Sequence, residues 1–174
     1  MTFTIVFIIF VAILFIWHAS LIISTLAGAP TVYAKTETIE KAFELIRLQS
    51  DQIILDLGCG NARSLIIASQ KFGAKGIGVE VSPFYYILAR LNVLASGERK
   101  NIQIYFGRAQ KQACLIKKAD VVYMYLFDSL LRKLEPVIFK FATPKTKIVS
   151  VAFPLKEHKP VQSEFNPRIF IYQK

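Results

Sequence analysis

The sequence predicts an α/β fold, a mostly parallel sheet with flanking helices, preceded by one long apolar helix. Three observations carry this. Short apolar runs rich in β-branched residues alternate with stretches of helical spacing from Lys35 onward. One run, Ile53-Ile54-Leu55-Asp56-Leu57, ends in Gly58-Cys59-Gly60 and leads into a helical pattern. Strand, glycine turn and helix form the corner at which open α/β sheets hold ligands. Finally, nothing before Lys35 is Lys, Arg, Asp or Glu, and Phe3–Ala27 is apolar at nearly every position.

The apolar run comes first in the chain. A bilayer core needs about 20 helical residues, so it is long enough to span. A core helix this apolar on every side would need a larger protein around it. A secretory signal would carry a basic start and an apolar core of roughly 7–15 residues. Met1-Thr2 supplies no basic side chain, although Ala27-Gly28-Ala29 has the small residues of a cleavage site. The expectation is an uncleaved single span over residues 1–29. Lys35, Lys41 and Arg47 follow it and no basic residue precedes it. The rest of the chain is thereby expected on the cytoplasmic side, or the matrix side in an organelle. His18 has no second ligand near it in sequence, and no metal site is expected.

Residues 30–50 read as a connector and a pre-core helix. Thr36 is the expected N-cap, with Glu37 and Glu40 near the helix start and Ile39, Phe43 and Ile46 as its apolar stripe. Residues 51–174 read as the main domain. A helix over 62–72 shows Leu65, Ile66, Ser69 and Phe72 on one face. Gly76–Glu80 is a second strand. Ser82-Pro83 caps and opens a helix that runs to about Ala95. Asn101–Phe106 is a third strand and Gly107–Lys118 is polar and poorly patterned, with room for one helical turn. A fourth strand, Val121–Leu126, leads into a helix over 129–141 that Pro136 is expected to kink or split. Thr146–Ala152 is a fifth strand. Val161–Phe165 and Arg168–Tyr172 form a closing antiparallel pair about Asn166-Pro167.

The chain has 22 Lys and Arg against 12 Asp and Glu, a net charge of +10, all of it from Lys35 onward. The basic residues are scattered, and an anionic membrane surface beside the domain accounts for them. No basic helix interleaved with aromatics is present, so no nucleic-acid partner is expected. Cys59 and Cys114 offer neither a disulfide framework nor a zinc site. The sequence carries no signal of oligomeric state.

The glycine turn says what ligand suits it. A dinucleotide fingerprint would have a third glycine where Arg63 stands and no acid before the first. Asp56 lies two residues before Gly58. A pyrophosphate would disfavour that carboxylate, whereas a ligand bearing an ammonium and a sulfonium would favour it. Glu80 ends the next apolar run about 20 residues further on, where an acid accepts hydrogen bonds from ribose hydroxyls.

This Asp-x-Gly-x-Gly pattern resembles the first motif of the class I, seven-β-strand S-adenosylmethionine-dependent methyltransferases, with Ala62 where a third glycine is usual. Further stretches narrow the resemblance: Gly28-Ala29-Pro30, Ile39-Glu40, Gly78-Val79-Glu80-Val81-Ser82-Pro83-Phe84 and Val149-Ser150-Val151-Ala152-Phe153-Pro154. From about Gly28 to Pro154 the chain resembles the membrane-anchored protein lysine methyltransferases of the ATP synthase c subunit and the adenine nucleotide translocase. It departs from them at Ser82, where Asn is usual, at Gly107-Arg108-Ala109-Gln110, which lacks their acid, and at Tyr33-Ala34, where they have Pro-Ser or Pro-Thr.

The resemblance implies a Rossmann-like sheet and S-adenosyl-L-methionine held by Asp56, Gly58, Cys59, Gly60, Glu80, Val81 and Ser82, with Gln110 at the adenine edge. It implies a lysine of a membrane protein as substrate, entering past Thr31, Tyr33 and Phe153. A carboxylate at the carboxyl end of the fourth strand could orient the amine and take its proton, and Asp128 stands there, where it could equally be a helix N-cap. Two other classes fit the same chain: a methyltransferase for a lipid or small molecule, and a non-catalytic membrane-tethered binding module. The Asn/Asp-Pro-Pro-Tyr motif of adenine-modifying enzymes is absent, since Leu126-Phe127-Asp128-Ser129 takes its place.

Overall fold

A computed structural model describes residues 2–26 and 34–174. Seven strands form one sheet: β1 (Ile53–Leu57), β2 (Lys75–Glu80), β3 (Ile102–Phe106), β4 (Val121–Met124), β5 (Lys147–Val151), β6 (Gln162–Phe165) and β7 (Arg168–Gln173). Their order is β3-β2-β1-β4-β5-β7-β6. The first five are parallel, and β7 returns antiparallel to β5 with β6 outside it. The order reverses between β1 and β4, which opens a crevice above their carboxyl ends.

Helices cover both faces because the central strands are apolar on both sides. On one face α2 (Thr36–Leu45), α3 (Arg63–Phe72) and α4 (Pro83–Ala95) share a core with Ile54, Val121, Tyr123 and Val149. On the other, α5 (Ala113–Lys118) and α6 (Asp128–Phe141) pack on Leu55, Leu57, Val122 and Met124. The stripe on α2 is as expected, with Ile39, Phe43 and Ile46 buried. On α3, Ile67 is buried and Ile66 only partly so, because Ser64, Leu65 and Ala68 turn the buried face by one residue.

Three local expectations are corrected. Lys35, not Thr36, occupies the N-cap position of α2, without a side-chain capping bond, and Thr36 is already helical. The stretch from Gly107 to Lys118 holds a single 3-10 turn, Ala109–Lys111, followed by α5. Pro136 does not split α6, which remains one helix; Leu130, Leu131, Leu134 and Ile138 are buried along it, and that packing outweighs the lost N–H. Ser82 does cap α4, its Oγ accepting from Tyr85 N at 3.4 Å with Pro83 next.

α1 (Thr2–Leu26) is a continuous helix of 25 residues. Thr2–Ala19 has a mean hydropathy of 2.4, so the helix is long and apolar enough to cross a membrane. Its side chains from Phe3 to Trp17 are exposed all round, and it meets the rest of the protein beside α4.

Candidate active site

The crevice between β1 and β4 continues as a cleft across the carboxyl ends of β2, β1 and β4. Its floor is the turn after β1. Gly58 N and Cys59 N donate to Val79 O at 2.9 and 3.1 Å, which pins the turn to β2. Gly58 has φ +88°, and a Cβ there would stand 2.8 Å from Leu126 Cδ2. Gly60, at φ +54°, faces open space: a Cβ would meet nothing within 4 Å. The backbone is thus bare toward the cleft where a ligand can approach it. Ala62 takes the left-handed conformation too, at φ +63°, and α3 begins immediately after it.

Two buried acids mark the two ends. At the β2 end Glu80 is 8% exposed. Gly60 N donates to its Oε2 at 2.9 Å, and Val81 N and Ser82 N donate to its Oε1 at 2.9 and 2.8 Å. A carboxylate has about four acceptor sites, so roughly one remains, on Oε2. Burial pushes the Glu80 carboxyl above its ordinary range, and those three N–H groups pull it back. At the β4 end, where β1 pairs with β4, Asp56 is 4% exposed and accepts from Ser64 Oγ. Burial raises its pKa to about 7, against the lowering from Ser64.

Beside Asp56, in register on the neighbouring strand, lies Tyr123. Its ring packs on Phe43 with centroids 5.4 Å apart, and the residue is 2% exposed. Tyr123 lines the cleft, and its hydroxyl is, among the described residues, the buried side-chain polar atom without a hydrogen-bond partner. A native fold leaves few such groups, and each has a cause.

The cleft brings together most of the residues expected from sequence: Asp56, Gly58, Cys59, Gly60, Glu80, Val81 and Gln110 all line it. Ser82 does not; it is fully buried, with its side chain on the α4 N-terminus and its N–H on Glu80. Asp128 is not in the cleft wall either. It is the first residue of α6 rather than its cap, Oδ2 pairs with Arg132, and Lys156 Nζ is 3.8 Å away. The hydrogen bond from Arg132 holds its carboxyl below the usual range. Phe153 packs on Phe127 with ring centroids 5.8 Å apart, so the loops after β4 and β5 meet through two aromatics outside the cleft wall. Thr31 and Tyr33 lie outside the described residues.

Sequence reasoning did not single out Tyr123, Tyr125, Arg108 or Arg63 as site residues; all four line the cleft. The usable signal was position: a tyrosine one strand over from Asp56 at the reversal of strand order. The donors and acceptors suit S-adenosyl-L-methionine. Asp56 offers a carboxylate to an ammonium, Glu80 one acceptor to a ribose hydroxyl, and Tyr123 a buried hydroxyl that needs a partner.

Comparison with known proteins agrees. The model of the ANTKMT methyltransferase domain matches residues 56–162. A protein-lysine N-methyltransferase of Saccharolobus islandicus (strain REY15A) is 27% identical over 150 residues, covering 82% of this chain and 92% of the relative. The adenine nucleotide translocase lysine N-methyltransferase of Mus musculus is 26% identical over 145 residues, covering 82% of this chain and 62% of its own length. Among solved structures, an RNA methyltransferase from Salinibacter ruber in complex with S-adenosyl-L-homocysteine superposes with a TM-score of 0.77 at 26% identity, covering 82% of this chain and 93% of that one. A turn that bares its backbone between two buried acids, on a sheet of this order, and a family match over more than half of the chain have one reading: the chain belongs to the ANTKMT methyltransferase domain family and is an S-adenosyl-L-methionine-dependent methyltransferase.

Proposed function

We propose that this enzyme is a protein-lysine N-methyltransferase that acts on a membrane protein close to the bilayer surface. One observation carries the location. The apolar helix α1 ends at Leu26 and α2 begins at Thr36, while Ala34 and Ile39, just before and within α2, line the cleft. A connector of that length reaches at most ~30–36 Å at ~3.3–3.6 Å per residue. With α1 as a span over residues 1–29 and a connector and pre-core helix over 30–50, the catalytic part, 51–174, works within that distance of the lipid. It faces the cytoplasm, or the matrix in an organelle. Tethering raises the effective concentration of other membrane-held partners and disfavours soluble ones. The lysine is supported by the two relatives named for lysine methylation.

When bound, the cofactor supplies an electrophilic methyl group on a sulfonium. The residues of the chain position what surrounds it. Asp56 pairs with the ammonium of the methionine end and the Tyr123 hydroxyl donates to its carboxylate. Glu80 accepts from a ribose hydroxyl, with the bare backbone of Gly58, Cys59 and Gly60 between them and Val81 beside the ribose. Ser82 contributes by holding Glu80 through its N–H. Gln110 and Arg108 stand at the adenine edge, where the acid usual in related proteins is missing. The Phe127–Phe153 pair borders the lysine's approach. Asp128 takes the proton of the amine through water. Alignment of amine and methyl supplies most of the rate.

The test uses membranes from a strain lacking the protein, purified full-length enzyme and a radiolabelled methyl donor, with protein, lipid and RNA then separated. Label is expected in protein, on lysine. Label confined to lipid or to RNA rejects the lysine reading. Methylation that survives Asp128→Ala unchanged removes Asp128 from the chemistry and leaves the substrate class standing.

A further inference from the structure

α4 is the helix that breaks the usual pattern. A helix on a sheet turns an apolar stripe inward and a polar one outward. Here the inward residues Ala89 and Val93 are buried, yet the outward stripe is also apolar. Ile87, Leu91 and Leu94, at i, i+4 and i+7, are 50%, 56% and 58% exposed. They line a groove against the edge strand β3, whose Tyr105 is exposed as well. Arg90 and Arg99 border the groove, and Arg90 sits 5.7 Å from the centroid of Tyr86. α4 itself contains no acid. The neighbouring Glu98 is occupied, accepting from Ser69 Oγ at 2.6 Å and Asn101 Nδ2 at 2.9 Å.

What covers this face is indicated by its neighbour. α1, apolar on all sides, meets the domain at α4, and the stripe stays half-exposed with α1 in place. From this we infer that the outward face of α4, with the edge of β3, lies in the headgroup region of an anionic bilayer, as a monotopic contact beside the span. Apolar side chains dip into the interface while arginines at their border meet lipid phosphates, the pattern of interfacial helices. The inference rests on the span proposed for α1. It adds an orientation, because α4 is tied to the cofactor cleft. Ser82 caps it and donates to Glu80, and Asn92 Nδ2 donates to Asn61 O, in the glycine turn, at 3.0 Å. A bilayer that seats α4 therefore sets the height and tilt of the cleft above the lipid.

Depth-dependent fluorescence quenching tests this in the full-length protein. Trp17 is the sole tryptophan. Three forms are reconstituted in vesicles of phosphatidylcholine with phosphatidylserine: the native chain, Leu91→Trp in a Trp17→Phe background, and Lys133→Trp in the same background as an exposed control on α6. Lipids brominated near the headgroup or deep in the chain serve as quenchers. The tryptophan at position 91 is expected to shift to the blue and be quenched by the shallow label, the one at 133 to be untouched, and Trp17 to respond to the deep label. Position 91 as unquenched as position 133 overturns the inference, and a deep response from Trp17 in that same case leaves the span intact. A blue shift at 91 that grows with protein concentration in detergent, without lipid, overturns it in favour of a second copy of the chain. As an independent measure, the pair Leu91→Glu and Leu94→Glu should reduce methylation of a vesicle-borne substrate and leave the cofactor Kd unchanged. Undiminished methylation counts against a role for this face.

Discussion

The two ends of the cofactor cleft are built on opposite principles. At the β2 end, Glu80 is complete before any ligand arrives, with three backbone N–H groups from two segments filling most of its acceptor sites. At the β4 end, the Tyr123 hydroxyl is buried with no partner and Asp56 has its pKa raised to about 7 by desolvation. The first end is organised by the fold, and the ligand adds one bond to it. The second is left incomplete, at some cost to the free protein, and the ligand completes it. Binding energy from the β4 end thus includes relief of a penalty, whereas loss of the β2 end disturbs the turn itself.

The largest effect should follow from breaking the organised end. Glu80→Ala removes the acceptor proposed for a ribose hydroxyl and orphans the Gly60, Val81 and Ser82 N–H groups. A charge-assisted bond is worth ~1.5–3 kcal/mol, and the loosened turn adds to that, so affinity for S-adenosyl-L-methionine should fall ~100-fold. Calorimetric titration would show it, and thermal unfolding should shift downward in parallel. Affinity within a factor of about two of the parent would remove Glu80 from the site.

Asp56→Asn comes next, and its signature is in pH. In the free protein the Asp56 pKa is raised above its unfolded value, so the folded state holds the proton more tightly. The stability this gives is present at low pH and is lost as pH rises from the ordinary carboxylate range to about 7. Glu80, raised as well, contributes in the same direction. Cofactor affinity should run the other way, rising to about pH 7 as Asp56 ionises and levelling above it. The Asn variant should bind ~10-fold more weakly at pH 8 and lose most of the slope. A parent Kd that is flat from pH 5 to 8 would mean that Asp56 does not meet the ammonium.

Tyr123→Phe separates the two ends most directly, because stability and affinity should move in opposite senses. An unpaired buried hydroxyl costs ~1–3 kcal/mol, so its removal should stabilise the free protein by ~1 kcal/mol. The same change deletes the donor proposed for the ligand and should weaken binding about fivefold, as a net hydrogen bond is worth ~0.5–1.5 kcal/mol. Melting with and without cofactor reads both. A variant that is less stable and binds normally would make Tyr123 a packing residue alone.

The contrast also explains what could be read from the chain. The parallel core, the closing antiparallel pair and the organised end follow from local signals: apolar runs, a glycine pair and an acid at a set distance. The incomplete end does not. Tyr123 sits in an apolar strand and looks like core; only the pairing of β4 with β1, a contact between residues 56 and 123, brings it to Asp56. Asp128 is the complementary case. Its position after β4 was read correctly, but its i,i+4 partner Arg132 engages it, and helix spacing alone could have suggested that pair. The outward apolar stripe on α4 was hidden because Ile87, Leu91 and Leu94 also fit an inward face, and only burial shows which way the helix is turned.

The smallest effect is expected at Ala62, on the turn that joins the two ends. Its φ of +63° is a conformation that favours glycine, so Ala62→Gly should recover the ~1–2 kcal/mol that a left-handed residue with a Cβ costs. Two losses oppose that gain. Glycine has ~0.5–1 kcal/mol more backbone entropy to lose, and the alanine methyl, fully buried, is worth ~0.8 kcal/mol. The terms nearly cancel, and denaturant unfolding should find the two proteins within ~0.5 kcal/mol, with cofactor affinity unchanged. A gain of more than ~1 kcal/mol accompanied by weaker binding would show that strain at Ala62 helps shape the turn, and the division between an organised and an incomplete end would then be too simple. Ala62→Val gives the opposing limit. A β-branched residue at positive φ in a filled site should cost at least ~2 kcal/mol, because neither the backbone nor the surrounding core can yield to it.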